Sequence, residues 1–223
     1  MNHEKLHNTT NKEILKKRLR LEDFQRITVS FYRYIHISDP QFFRDQLYRA
    51  WSRLNCFGRI YIAHEGINAQ MSIPEHHYQT FLDGLDQLPG LEDMLLRHAV
   101  EDDGKSFYKL TIKVRHKIVA DGLDGNDYDV SDVGNHLTAL EFHRLMDRGD
   151  TMVVDMRNHY ETEVGHFNNA YLPESDTFRE ALKQVGEALK PYRDKKLLLY
   201  CTGGIRCEKA SAYLKHLGYE DVN

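Results

Sequence analysis

The sequence has few of the features that mark secreted or membrane proteins. Its 223 residues include only three cysteines, too few for the disulfide framework of a small secreted domain. No apolar run approaches the roughly 18 residues that a membrane-spanning helix needs. The N-terminus is polar and basic, without the apolar centre of a signal peptide. We therefore expect a cytoplasmic protein whose cysteines stay reduced.

The sequence also lacks an excess of basic residues. The formal net charge is −4, and it is unevenly spread. Residues 1–122 carry 18 basic and 16 acidic side chains, whereas residues 123–223 carry 12 and 18. The overall charge does not indicate a nucleic-acid-binding protein, although a local basic surface is compatible with it. The length indicates one or two domains.

The first half of the chain predicts the element order β-α-β-β-α-β with one extra strand. This order is typical of the ferredoxin-like, acylphosphatase-like α+β fold, a sheet with helices on one face. We assign residues 1–24 to an N-terminal helical appendage and residues 25–121 to this domain. The predicted elements are a short helix at 11–22, strands at 26–37, 59–63, 68–73, 95–100 and 107–119, and helices starting at Pro40 and spanning 74–88.

The predicted strand at 107–119 carries a dense basic pattern. Alternation places one set of polar side chains on a single face: Lys109, Thr111, Lys113, Arg115 and Lys117. Four cations on one face could follow a phosphate backbone. The alternative is a solvated face whose lysines keep an edge strand from aggregating.

An Asp- and Gly-rich stretch separates the two halves, and we interpret residues 122–134 as a linker. The EF-hand spacing of a calcium loop is absent from it. Beyond it, capping boxes at Thr138 and Thr177 and short apolar strands predict a parallel α/β sheet over residues 135–223. Sites in such sheets form at the carboxyl ends of strands, where Asp155 and Cys201 lie.

The strand at 197–200 runs directly into a cysteine and a tight loop. Cys201 is followed by Thr202, Gly203, Gly204, Ile205 and Arg206, and a helical pattern comes next. In this arrangement backbone N–H groups converge on the thiol, and the positive end of the helix points at it. Such surroundings lower the pKa of a thiol. The alternative is a small buried cysteine that ends a strand.

Two motifs in this half resemble the rhodanese family. Asp155-Met156-Arg157-Asn158-His159-Tyr160-Glu161, with Gly165-His166-Phe167 and Ala170, is similar to its D-x-R-x-x-x-E and G-H-I-x-x-A stretch, although Phe167 and Asn169 replace the commoner Ile and Gly. The six residues from Cys201 to Arg206 resemble its active-site loop. We interpret Asp155, Arg157, Glu161 and His166 as structural support for the loop, with a direct catalytic role as the alternative.

The spacing of the loop separates it from a second kind of cysteine loop. The C-x-x-x-x-x-R loop of phosphatases needs arginine at position 207, which is Cys207 here. A loop one residue shorter suits a persulfide on Cys201, held by backbone N–H groups. We expect Cys201 and Arg206 to be catalytic. Cys207 is a candidate resolving thiol, with a buried helix cysteine as the alternative.

The chain as a whole resembles the rhodanese-domain tRNA uridine hydroxylases over about residues 24–222. The segments that carry the resemblance are FYRYIHISDP, GRIYIAHEGINAQMSIP, DDGKSFYKLTIKVRHKIVADG, VDMRNHYETEVGHF and YCTGGIRCEKAS. The family joins an acylphosphatase-like domain to a rhodanese domain and uses molecular oxygen to make 5-hydroxyuridine at the wobble position of tRNA. Its persulfide cysteine corresponds to Cys201. Because members continue into a final strand, a helix and a cysteine-rich tail, we expect this sequence to be truncated and its rhodanese domain incomplete.

The resemblance implies tRNA as partner and molecular oxygen as co-substrate. Oxygen insertion normally uses a metal, haem or flavin. However, the sequence has no dinucleotide fingerprint and no clear metal-ligand spacing among its 13 histidines, so we identify neither a metal nor an organic cofactor, and the electron donor is unknown. Our hypothesis is that Cys201 adds to C6 of uracil and makes C5 electron-rich. The candidate contacts to RNA are Tyr32, Tyr34 and Phe107 for stacking and Arg33, Lys113, Arg115 and Lys117 for phosphates. For each of the three aromatic residues the alternative is packing in the core.

Two other functions stay open at the level of the sequence. One is a sulfurtransferase that moves sulfur from thiosulfate through a persulfide on Cys201. The other is a non-catalytic rhodanese module that binds a partner, against which the intact Cys201 and the glycines after it argue. The sequence does not indicate an oligomeric state.

Overall fold

The computed structural model describes residues 6–123 and 128–223. The chain forms two compact units, Met1–Ile118 and Val119–Asn223, and each has its own hydrophobic core. The predicted linker at 122–134 includes residues 124–127, which lie outside the described residues. Over the two described ranges, no helix is both long and apolar enough to cross a bilayer.

The first unit is an α+β domain with a five-stranded sheet in the order β4-β1-β3-β2-β5. Strands β1, β3 and β2 pair antiparallel, and β5 pairs parallel with β2. This topology confirms the ferredoxin-like prediction with one added edge strand. The elements are α1 (Lys12–Arg20), β1 (Arg26–Tyr34), α2 (Pro40–Arg53), β2 (Phe57–Ala63), β3 (Gly66–Pro74), α3 (Tyr78–Asp86), β4 (Arg97–His98) and β5 (Leu110–Val114).

One face of this sheet is buried against the helices α2 and α3. The core joins alternate strand residues such as Phe31 and Ile60 to Leu47 and Trp51 of α2 and Phe81 of α3. The intervening strand residues point to the opposite face, because side chains alternate along a strand. We call that opposite side the open face.

Local capping sets the start of α2 as predicted. The side chain of Asp39 accepts a hydrogen bond from the backbone N–H of Phe42 at 2.9 Å, and Pro40 occupies the first helical position. The predicted helix at 74–88 begins instead with a 3-10 turn, Glu75–His77, and continues as α3.

The two last predicted strands of this unit are shorter than expected. The prediction of a strand over 107–119 is wrong at both ends, since β5 covers only Leu110–Val114. The N–H of Arg115 still donates to the carbonyl of Ile62, and β2 ends one residue later, at Ala63. Similarly, the strand predicted at 95–100 is reduced to β4, which pairs with β1 at two positions.

The second unit contains the predicted parallel strands. β6 and β7 pair in parallel, with Asp155 opposite Tyr200, and single bridges from Val154 to Tyr171 and from Leu197 to Val222 lie beside them. The capping box of Thr138 and Glu141 is present at the start of α4. The one-turn helix α5 was not predicted. The elements are α4 (Ala139–Met146), β6 (Thr151–Asp155), α5 (His159–Thr162), α6 (Phe178–Ala188), β7 (Lys196–Tyr200) and α7 (Ile205–His216).

A buried ion pair holds α7 to the first residues of this unit. The ammonium group of Lys209 lies 2.9 Å from a carboxylate oxygen of Asp121 and 2.8 Å from the carbonyl of Val119. Both charged side chains are almost fully buried. Asp121 also accepts hydrogen bonds from the N–H of Leu123 and the hydroxyl of Tyr128, and within this buried network the opposite charges of Lys209 and Asp121 compensate each other.

We therefore predict that Lys209→Ala destabilises the protein by about 3–5 kcal/mol, because it removes the ammonium group that pairs with the buried carboxylate of Asp121. Lys215→Ala is the matched control, since Lys215 lies on the same helix and pairs with the exposed Asp132. Its cost should stay below about 1 kcal/mol. Urea denaturation measures both, and equal losses would contradict the role given to the buried pair.

Candidate active site

Cys201 lies where β7 ends and before α7 begins. The loop between the two elements is short, and Gly204, with a φ of 85°, is the residue that precedes the first turn of α7. This left-handed backbone conformation favours glycine, since a Cβ atom would be strained there. The loop turns the first N–H groups of α7 toward the sulfur of Cys201.

The sulfur of Cys201 accepts several hydrogen bonds. The backbone N–H of Gly204 donates to Sγ at 3.0 Å. The Cys207 thiol, the Cys207 backbone N–H and the charge of Arg206 also act on this sulfur. The hydrogen bond from the Cys207 thiol is the largest of these effects, and together they lower the pKa of Cys201 to about 5 against the opposing effect of burial. Cys201 is therefore a thiolate at neutral pH.

Cys207 keeps its proton. Its hydrogen bond to Cys201 raises its pKa well above the ordinary value, and burial acts in the same direction. The two sulfurs thus form a pair in which Cys207 is the donor and Cys201 the charged acceptor. A nucleophilic thiolate and a second thiol in contact with it are the groups that disulfide chemistry requires.

Arg206 is held by Glu161. The guanidinium group makes two hydrogen bonds to the carboxylate, at 2.6 and 2.9 Å. These bonds are the main reason that the pKa of Glu161 falls to about 2, and the hydroxyl of Thr202 adds a further one. Arg206 is therefore fixed beside the loop, where its charge favours the thiolate of Cys201.

The remaining residues of the first rhodanese-like motif support the loop from the neighbouring strand. Asp155 is fully buried at the end of β6 and accepts hydrogen bonds on both carboxylate oxygens from the guanidinium group of Arg157, at 2.7–3.1 Å, and one from its backbone N–H at 2.9 Å. Arg157 also donates to the carbonyl of Gly165 at 2.6 Å, and His166 bonds the carbonyl of Thr162 at 3.0 Å. These contacts fix the segment that carries Glu161.

Sequence reasoning grouped Glu161 with the other supporting residues and missed how directly it acts. It contacts two residues of the Cys201 loop, Thr202 and Arg206, across about 40 positions of sequence. The one-turn helix α5 that presents it is too short to give a periodic signal. The available signal was the capping-box spacing of Asn158 and Glu161, which marks the start of a helix. The structure contains this contact, since the N–H of Asn158 donates to the Glu161 carboxylate at 3.2 Å.

The four cations predicted to contact RNA do not share one surface in the first unit. Lys113 lies exposed on the open face, and the guanidinium carbon of Arg115 is 5.7 Å from the ring centre of Tyr61. Arg33 instead donates to the carbonyls of Gly90, Glu92 and Asp93 in the loop after α3. Lys117 follows the end of β5 and is not part of the strand.

The aromatic candidates lie near the open face. The rings of Tyr32 and Tyr34 meet at 6.2 Å, and Phe107 lines a pocket beside β5. Within residues 6–123 and 128–223, histidines, cysteines and carboxylates do not form a group of three or more that could hold a metal ion. The roles of all these residues toward RNA remain predictions.

The contact between the two cysteines leads to a test in solution. We predict that Cys207→Ala raises the pKa of Cys201 by about 1 to 2, because a hydrogen bond to a charged group contributes roughly 1.5–3 kcal/mol. The rate of iodoacetamide alkylation at Cys201 should then fall between pH 7 and about 6 in the variant and stay nearly constant over that range in the unaltered protein.

Cys56→Ala is the matched control. Cys56 is buried in the other unit, and burial raises its pKa to about 12, so its removal should leave the alkylation profile of Cys201 unchanged. An identical profile for Cys207→Ala would show that the Cys207 thiol does not stabilise the thiolate.

Comparison with known proteins agrees with this arrangement. A model of the UPF0176 acylphosphatase-like domain matches residues 26–118, and a rhodanese-like domain model matches residues 138–223. Over 218 residues the chain is 57% identical to a tRNA uridine(34) hydroxylase of Leptospira interrogans, covering 98% of this chain and 59% of that protein. It is 52% identical to the protein of the same name from Enterobacter sp. (strain 638), covering 97% of this chain and 62% of that protein.

The chain thus spans about three fifths of the length of the curated relatives that it matches. The similarity includes both domains in the predicted order. The chain therefore consists of a UPF0176 acylphosphatase-like domain followed by a rhodanese-like domain, and over nearly its whole length it is similar to proteins named tRNA uridine(34) hydroxylase.

Proposed function

We propose that this chain hydroxylates the wobble uridine of tRNA to 5-hydroxyuridine, with Cys201 as the nucleophile. The observation that carries the proposal is the thiolate of Cys201, held by the N–H of Gly204 and by Cys207 in a chain similar to proteins named tRNA uridine(34) hydroxylase. The substrate is a tRNA, and the reaction belongs to the cytoplasm, where tRNA is found.

The thiolate solves the main chemical difficulty of the reaction. C5 of uracil is too poor in electrons to react readily with an oxidant. Addition of the Cys201 thiolate to C6 breaks the C5–C6 double bond and places an electron pair on C5, conjugated with the C4 carbonyl. A thiol with a pKa of about 5 is ionised at neutral pH and can make this attack without a separate base.

The oxygen atom comes from molecular oxygen. The electron pair of C5 bonds to one atom of O₂, and protonation gives a C5 hydroperoxide. A thiol then takes the distal oxygen, which leaves a hydroxyl group on C5 and a sulfenic acid on the thiol. Loss of the C5 proton and departure of Cys201 from C6 restore the double bond and release 5-hydroxyuridine.

We propose Cys207 as that reducing thiol. Its sulfur contacts Cys201 and keeps its proton at neutral pH. The freed thiolate of Cys201 attacks the sulfenic acid of Cys207, expels hydroxide and forms a disulfide. Two molecules of a cellular thiol reduce this disulfide. The balance is one uridine, one O₂ and two thiols giving one 5-hydroxyuridine, one external disulfide and one water.

Arg206 and Glu161 serve this chemistry without entering the bonds that change. The Arg206 charge favours the thiolate as nucleophile and again as leaving group. Glu161 fixes the guanidinium through two hydrogen bonds, so that Arg206 holds one position through the cycle. We assign both as positioning residues.

The prediction is that Cys201→Ser lowers 5-hydroxyuridine at position 34 by more than about 100-fold, because a serine hydroxyl is not ionised at neutral pH. The measurement is mass spectrometry of nucleosides after purified protein, unmodified tRNA and oxygen are mixed. Without added thiol, the unaltered protein should make at most one product per chain and end with a Cys201–Cys207 disulfide.

Cys56→Ala is again the control and should retain full product. Undiminished product from Cys201→Ser would overturn the role of Cys201, and repeated turnover without a disulfide would overturn that of Cys207. The same proteins are assayed for thiocyanate formation from thiosulfate and cyanide. Thiocyanate without 5-hydroxyuridine would favour the sulfurtransferase instead.

A further inference from the structure

The open face of the first unit carries cations and aromatic rings but no acidic strand residue. Most of its strand positions, all within the described part of the chain, are polar, aromatic or basic: Thr28, Ser30, Tyr32, Tyr34, Phe57, Arg59, Tyr61, Asn68, Gln70, Arg97, Thr111 and Lys113. At one end of the strands the face is covered, since Ser72 is buried and donates to the carbonyl of Gly104, and Arg26 is paired with Glu22. Arg59, Gln70, Arg97 and Lys113 are exposed. A face with this composition is complementary to a polyanion.

Two of the rings are each paired with an arginine. The guanidinium carbon of Arg97 lies 5.6 Å from the ring centre of Tyr32, and that of Arg115 lies 5.7 Å from the ring centre of Tyr61. Both tyrosines are half-buried, and a cation over such a partly exposed ring contributes less than a stacked base does. A base can therefore displace either arginine from its ring, and the displaced guanidinium can turn to a phosphate.

A pocket continues this face past β2 and β5. Its volume is about 300 Å³, and it brings three aromatic rings together with three cations. The rings are those of Tyr61, Phe107 and Tyr108, and the cations are Arg59, Lys109 and Lys113. This combination suits a base and its phosphate, and the volume is at the lower end of the range for small-molecule sites.

The strand register sets the distance between the two rings. Tyr32 and Tyr61 both lie opposite Asn68 of β3, one on each side. Neighbouring strands are roughly 4.8 Å apart, so about 10 Å separates the backbones that carry the two rings. Unstacked bases on single-stranded RNA can span this distance, whereas bases inside a duplex would first have to unpair and unstack, which costs a few kcal/mol.

We propose that the open face binds an unpaired stretch of RNA, with bases stacked on Tyr32 and Tyr61 and phosphates on Arg59, Arg97 and Lys113. The inference rests on the proposed function in taking tRNA as the source of that stretch. The sequence predicted a row of cations along one β-strand. The proposed RNA-binding surface instead extends across all five strands of the sheet.

Binding of a labelled anticodon stem–loop RNA, measured by fluorescence anisotropy, tests this surface. Tyr61→Ala and Tyr32→Ala should each weaken binding about 5-fold to 100-fold, since each removes one stacked base. Tyr61→Phe should bind like the unaltered protein, because the ring remains. Arg59→Ala and Lys113→Ala should each lower the slope of log affinity against log salt by about 0.7.

Arg53→Ala is the matched control for Arg59→Ala. Arg53 is exposed on α2, on the helical side of the sheet, so its removal changes the net charge equally but should leave the salt slope unchanged. Circular dichroism establishes that every variant is folded. The proposal would be overturned if both Tyr32→Ala and Tyr61→Ala bound the RNA at full strength. It would also be overturned if Arg59→Ala and Arg53→Ala gave equal slopes of log affinity against log salt, or if a duplex of the same length bound with equal affinity.

Failure of the proposed function gives a different result. If tRNA is bound through Tyr61 but no 5-hydroxyuridine is formed, the open face stands and the hydroxylase assignment falls. If 5-hydroxyuridine is formed and the tyrosine variants bind and react normally, the hydroxylase assignment stands and the RNA surface lies elsewhere.

Discussion

The negative charge on Cys201 is the constraint on which the site depends. Burial alone would raise the pKa of this thiol, so the thiolate exists only because the surrounding groups outweigh that effect. The hydrogen bond from the N–H of Gly204 depends on the left-handed backbone of that residue, just before α7. The hydrogen bond from the Cys207 thiol depends on the position of Cys207 in the first turn of α7. The buried pair of Lys209 and Asp121 anchors the same helix. Stability and reactivity are thus coupled through α7.

The cation of the site, Arg206, forms an ion pair with Glu161. Glu161 binds Arg206 through both carboxylate oxygens, so the guanidinium contributes its charge to Cys201 without presenting a free fork to a substrate phosphate. This differs from a loop built to grip a phosphate dianion, and it agrees with a nucleophile directed at an uncharged base. The cations available for phosphates lie instead on the open face of the first unit, where Arg59 and Lys113 are exposed.

Local sequence signals predicted much of this structure. The Asp39 cap, the Thr138 capping box and the Cys201 loop each depend on residues within a few positions of one another, and each is confirmed. The strand predicted at 107–119 was wrong in extent because its length is set by where β2 ends, which its own alternation does not encode. The position of Arg33 depends on a distant loop, and the contact of Glu161 with Arg206 joins residues 45 positions apart. Such contacts follow from tertiary structure and not from periodicity.

The central claim is that the thiolate of Cys201 adds to C6 of the wobble uridine. The most direct measurement uses tRNA with 5-fluorouridine at position 34, mixed with the protein in the absence of oxygen, followed by denaturation, digestion and mass spectrometry. The account predicts a covalent protein–RNA complex in which the nucleotide is attached to the peptide that contains Cys201, and no complex with Cys201→Ser. Attachment at another residue, or no complex from a protein that makes 5-hydroxyuridine with normal tRNA, would contradict it.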